Sequence, residues 1–281
     1  MTNLSSHRIF TLFLFGTISV ALSAYAEPPP QAEVVTAKCT GSGVGPSAPP
    51  TATMLTADAA HNAAEALSVT ELFAQLAKGD EAAMIELGLR YAAGRDLPQN
   101  AERALPLFET AARQGNPLGF HFLGTAYSMG FGVTKDDSRA VALWEEAARE
   151  GYGPAQYALA FMIANGRGGI ERNWCAAMPI FEAAAAQNIS DAAYMLGVAY
   201  HTAEIGPADH QSAAKWYRKA NKISFNQKAQ YNIRLLIEGY HIEWQEGDPG
   251  KPAPPQVINP DDAKPQESKL SPENPSPNSA P

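Results

Sequence analysis

Residues 121–151 read HFLGTAYSMGFGVTKDDSRAVALWEEAAREG, and this stretch holds a complete helix-loop-helix pattern. Around Leu123-Gly124, a small residue stands five positions before Gly124, at Gly119, and a bulky one three positions after it, at Tyr127. Spacings of −5, −1, 0 and +3 fall on one face of a helix with 3.6 residues per turn. Gly130 follows as a stop, Asp136 as an N-cap, and a second stripe runs through Ala140, Trp144, Ala147 and Ala148 to Gly151.

Outward from this stretch the pattern returns every 36 or 37 residues. Leu87-Gly88, Leu159-Ala160 and Leu196-Gly197 repeat the first pair, with Ala83, Ala155 and Ala192 before them and Tyr91, Ile163 and Tyr200 after. The second stripe returns as Ala104, Phe108, Ala111 and Ala112, as Ala177, Phe181, Ala184 and Ala185, and as Ala213, Tyr217, Ala220 and Asn221. Asn100, Asp136, Asn173 and Asp209 precede these second helices in register, and Ile233-Arg234 opens a fifth, incomplete copy. The one extra residue falls in the third copy, within Gly166-Arg167-Gly168-Gly169, where a surface loop absorbs it at little cost.

The regions flanking the array have a different composition. An apolar run from Ile9 to Leu22 after His7 and Arg8, closed by Ser23-Ala24-Tyr25-Ala26, reads as a cleavable leader over residues 1–26, cut after Ala26. The run is too short to span a bilayer comfortably, so a periplasmic or secreted chain with no membrane span is expected. Residues 27–55 are rich in Pro, Gly, Ser and Thr and read as a flexible segment, and residues 245–281 as a disordered proline-rich tail. Between them, residues 56–79 are expected to hold N-terminal capping helices, one of them announced by the capping box Ser68-Val69-Thr70-Glu71, and residues 80–244 the repeats. A net charge of −8 argues against a nucleic-acid surface.

The repeated positions resemble the Sel-one-like repeat family, a relative of the tetratricopeptide repeat. The second copy matches best, through Leu123-Gly124, Tyr127, Gly130, Gly132-Val133, Asp136, Ala140, Trp144, Ala147-Ala148 and Gly151. The resemblance implies an all-α solenoid of about four repeats whose first helices line a concave side and whose second helices form the outer side. It implies a non-enzymatic scaffold or adaptor that binds a protein or peptide, or an immunity protein that neutralises a toxic envelope enzyme. A rival reading is a hydrolase acting on cell-wall or β-lactam substrates. It draws on a cysteine-rich subgroup similar to this family, whose paired cysteines in each repeat are missing here.

No metalloprotease, nucleophile-elbow or phosphate-loop motif occurs, so no catalytic residue, metal or cofactor is assigned. His121 stands where the other copies carry Ile85, Tyr157, Tyr194 and Tyr231, and is read as a packed helix-face residue. Lys215, Arg218, Lys219 and Lys222 make one basic side of the last second helix. That side is either a solvated face or a dock for an acidic partner or for the tail through Asp261, Asp262 and Glu267. Cys39 and Cys175 form a possible disulfide, with two free thiols as the alternative. Subtracting the packing stripes leaves positions −2, +1, +2 and +5 of each first helix, and from these Phe122, Met129, Phe161, Met162, Met195 and Val198 are expected to line the partner groove of a monomer.

Overall fold

Phe108, Trp144 and Tyr217 each lie across a first helix of their own repeat at a glycine, and these seats set the spacing of the helix pairs. A β-carbon on Gly88 would stand 2.5 Å from the Phe108 ring, one on Gly124 2.9 Å from the Trp144 indole nitrogen, and one on Gly197 2.5 Å from the Tyr217 ring. Ala160 and Phe181, both fully buried, hold the corresponding places in the third repeat. The computed structural model describes Cys39 and residues 48–249. The expected leader, residues 27–38 and 40–47, and the tail from residue 250 lie outside the described residues.

Eleven helices and no strand occur among the described residues. Helices α1 (Ala52–Glu65) and α2 (Val69–Leu76) precede the array. The repeats pair α3 (Glu81–Ala93) with α4 (Ala101–Arg113), α5 (Pro117–Met129) with α6 (Asp137–Arg149), α7 (Gly153–Asn165) with α8 (Trp174–Ala186), and α9 (Ser190–His201) with α10 (His210–Ile223). Helix α11 (Gln227–Tyr240) closes the array. From α2 onward each helix packs on the next, which is how a solenoid buries its stripes.

The local signals act as their chemistry dictates. Asn100, Asp136, Asn173 and Asp209 each accept a hydrogen bond from the amide three residues on, satisfying a donor that the helix start leaves free. Gly94, Gly130 and Gly166 end α3, α5 and α7 with φ of 71°, 72° and 64°, a conformation that costs other residues a Cβ clash. Ser68 and Glu71 form the expected capping box, and Leu72 of α2 is fully buried, while Phe73 stays exposed.

Two boundaries differ from the sequence reading. Helix α1 begins at Ala52, because Thr51 caps it by accepting from the Met54 amide, so the segment expected to be flexible through residue 55 is already ordered from Ala48. Helix α11 stops at Tyr240, short of the residue 244 at which the repeats were expected to end, because His241 turns left-handed with φ of 55°. The following residues fold back, burying Ile242 and pairing Asp248 with Arg218 at 2.7 Å.

Trp144 is buried in the centre of the array and donates from its indole nitrogen to the His121 carbonyl at 3.2 Å. Replacing it with Ala leaves a large void beside Gly124, and Trp144→Ala is expected to lower the unfolding free energy by about 3–5 kcal/mol. Urea denaturation of the two proteins measures this directly.

Candidate interaction surface

Helix α1 lies against the inner side of the first helices, packing on α3 and α5. Its hold on them is slight. Met54 and Ala64 are its buried residues, and Met54 joins the cluster of Met84, Ile85 and Leu89. Burying one methionine contributes about 1.5–3 kcal/mol. Fixing the backbone of a fourteen-residue helix costs more than that at about 1–2 kcal/mol per residue, before its own hydrogen bonds are counted. Further restraints hold both ends.

At its start, Gln156 donates to the Ala48 carbonyl at 2.7 Å, the Thr51 amide donates to the Glu150 carbonyl at 2.9 Å, and the Thr51 hydroxyl donates to the Glu150 carboxylate at 2.6 Å. At its end, the Arg90 guanidinium donates to the carbonyls of Glu65 and Leu67. Arg90 is itself buried and paired with the fully buried Glu86 at 2.6 Å, and Arg95 reaches the same Glu86 oxygen. Further upstream, Cys39 is disulfide-bonded to Cys175 at the start of α8, with Cα atoms 5.3 Å apart. Closing a loop of 136 residues contributes about 4–5 kcal/mol in the chain-entropy picture.

The predicted groove residues divide. Phe122 is 7% exposed and packs ring to ring on Phe108 at 5.5 Å, and Met162 is 2% exposed, so both belong to the interior and not to a groove. The reason is the tight winding of the array: the −2 and +2 positions meet neighbouring helices, where Ala126, Ala158 and Ala199 are buried as well. Met129, Phe161, Met195 and Val198 are half-buried against the core clusters.

The inner side is marked instead by the −3 row of Ile85, His121, Tyr157, Tyr194 and Tyr231. Under α1 this row is closed: Ile85 is buried, and His121 stacks edge-on with Tyr152, whose hydroxyl is raised by burial and further by the Asp58 carboxylate of α1. Further along, Tyr157 and Tyr194 are half-buried as His121 is, and at the end of the array the row is exposed, Tyr231 at 63% and Leu235 one turn on.

Sequence reasoning missed the Glu86 and Arg90 pair. Its signal was present, since these charges occupy the −2 and +2 positions that are apolar in the other three full copies. The structure also gathers His201, His210 and Tyr240 into a ring stack, with His201 Nδ1 3.3 Å from the Tyr217 hydroxyl. Among the described residues no cluster of three or more His, Cys, Asp or Glu side chains could hold a metal ion. Nor is any described helix long and apolar enough to cross a membrane. Of the basic side chains on α10, Arg218 is committed to Asp248 and the Glu243 carbonyl, and Lys219 lies over the Trp216 ring. Asp261, Asp262 and Glu267 lie outside the described residues.

The Sel1 repeat model matches residues 81–116, 121–152, 153–188 and 190–222, in phase with the helix pairs. This chain belongs to the Sel1 repeat family. A Sel1 repeat protein of Oxalobacter formigenes is similar at 28% identity and a TM-score of 0.54, over 60% of this chain and 48% of that one. The c5321 protein, a protective antigen present in uropathogenic Escherichia coli strains, displays an SLR fold and is similar at 24% identity and a TM-score of 0.54. That likeness covers 61% of this chain and 36% of c5321, so the chain spans about half and about a third of these two structures. No curated protein matches the chain. Sel1 repeat proteins serve in general as non-catalytic protein-interaction scaffolds.

Two histidines of this Sel1 array are poised against acid. Burial pushes the His121 imidazole down to about 3, and burial also lowers His61 of α1 although Glu86, Glu65 and Asp58 pull it upward. The Nδ1 atom of each is buried with no hydrogen-bond partner. Both therefore bind protons more readily once unfolded, and the stability they permit is intact above about pH 6.5 and lost as pH falls towards the folded value. Unfolding free energy should decline between about pH 7 and about pH 4, and His121→Ile, the residue of the first repeat, should flatten part of that decline. Denaturant titrations across this range measure both effects.

Arg90→Ala strands the buried Glu86 carboxylate with Arg95 alone. The expected cost is about 3 kcal/mol, with earlier melting of α1 and α2 than of α9 and α10 by hydrogen exchange.

Proposed function

We propose that this chain is an exported scaffold that holds an amphipathic helical segment of another protein along the open half of its concave side, formed by α7, α9 and α11. The observation that carries this reading is α1 itself. A helix of fourteen residues, about 21 Å long, already lies on the same inner side over α3 and α5. The row that receives it continues past its start as Tyr157, Tyr194 and Tyr231, with no further helix of this chain upon them among the described residues.

The chemistry of that row suits an amphipathic occupant. Tyrosine offers an apolar ring with few rotatable bonds and a hydroxyl for polar contacts. Tyr194 is hydrogen-bonded to Asn232, and the hydroxyls of Tyr157 and Tyr194 are raised above their usual range chiefly by burial, with half-buried Asp191 adding to it. Exposed apolar side chains on α11 lie in or next to this row, at Tyr231 (63% exposed) and Leu235. Tyr231 and Leu235 are one turn apart on α11, as anchors for a docked helix would be. Export is supported by the apolar leader and by the disulfide, which persists in oxidising compartments such as the periplasm.

A photo-crosslinking amino acid placed at Tyr231 or Leu235, and as a control at Ser138 on the outer side, tests this in an envelope extract. Adducts to one protein should form from the first two positions and not from Ser138, and Leu235→Asp should weaken capture by at least about tenfold with helical content unchanged. Phe122→Ser, by contrast, should destabilise the fold, since that ring is interior. Adducts from Ser138 alone would place the docking surface on the second helices and overturn the reading.

A further inference from the structure

We propose that α1 is a latched resident of the concave side: the Cys39–Cys175 bond keeps the α3–α5 half closed, and a dithiol reductant opens it as a second docking surface for a helix of α1's own chemistry. This rests on the reading of the concave side as a docking surface and adds its regulation.

The two ends of α1 are held differently. Its C-terminal end joins α2 through three residues, and α2 is anchored on α3 by the fully buried Leu72, so that end stays in place. Its N-terminal end rests on the hydrogen bonds of Ala48 and Thr51 to Gln156 and Glu150, and on the disulfide beyond them. With the bond made, α1 is tied down on both sides. With it broken, α1 is attached on one side only, and Ala66 to Ser68 become a hinge.

What lies under α1 has the makings of a docking surface. Met84, Ile85 and Leu89 form the apolar floor that Met54 enters. The Nδ1 atoms of His61 and His121 are buried without partners, groups that water would satisfy on opening. The outward side of α1 carries the exposed Leu55.

The covalent step balances with a dithiol as reductant. One thiolate attacks the exposed Cys39 sulfur, and Cys175 departs as thiolate and takes up a proton. The second thiol of the reductant then displaces Cys39, leaving the reductant as a disulfide. Two electrons and two protons end on the two cysteines.

The test uses the full chain, oxidised or treated with dithiothreitol, and reads amide exchange and the anisotropy of a labelled peptide of residues 48–67. On reduction, exchange across residues 52–65 should quicken at least about tenfold while α5 and α9 keep their protection, and the peptide should bind at least about tenfold more tightly than to the oxidised chain. Cys39→Ser should behave as the reduced protein without any reductant, and Met54→Ala should raise peptide binding further once the bond is broken. Unchanged exchange in α1 after reduction would overturn the proposal, and so would loss of protection throughout the array, since α1 would then be an inseparable part of the core. Crosslinking at Leu235 concerns the open half alone. Its failure with α1 released on reduction would reject the docking function and keep the latch, and the reverse result would reject the latch only.

Discussion

A ring pressed onto a glycine is the contact on which the rest of this molecule depends. Where Phe108, Trp144 and Tyr217 meet Gly88, Gly124 and Gly197, no β-carbon intervenes, and the two helices of a repeat approach more closely than ordinary side chains allow. That approach lets alanines fill the remaining stripe, as at Ala104, Ala111, Ala147 and Ala184, all fully buried. It also winds the array tightly enough that positions on the flanks of each first helix meet their neighbours. In the inner row at −3, Tyr157 and Tyr194 stay half-buried and Tyr231 stays exposed.

The sequence was most informative where the physics is local. Caps at Asn100, Asp136, Asn173 and Asp209, stops at Gly94, Gly130 and Gly166, and the capping box at Ser68 depend on residues within one turn, and each behaves as its type dictates. The candidate surface was less legible because it depends on how far successive repeats rotate. Phe122 and Met162 look free when one helix is considered alone and are enclosed once its neighbours are in place. Periodicity cannot reveal that, since it describes one helix at a time. Glu86 and Arg90 could have been found, as an ion pair breaking an apolar column at i and i+4.

Of the contacts distant in sequence, only the Cys39–Cys175 bond stood among the sequence readings, as one of two alternatives. Nothing in the composition around Ala48 to Thr51 says that it will rest against Glu150 and Gln156. The consequence is an asymmetric array built from near-identical units. Among the described residues, a helix of the same chain lies over its first half and none lies over its second. Identity of fold between the repeats therefore does not make them equivalent as surfaces.

The end of the array carries a different kind of information. In the fifth, incomplete copy the place taken elsewhere by Gly88, Gly124, Ala160 or Gly197 is held by Arg234, exposed on α11. A following helix would have to seat its aromatic ring on a guanidinium, and a second copy stacking end to end would have to bury that charge without a carboxylate in the repeat pattern to receive it. Among the described residues, the position where packing would otherwise invite the next unit thus carries a charge, which disfavours a further ring seat there.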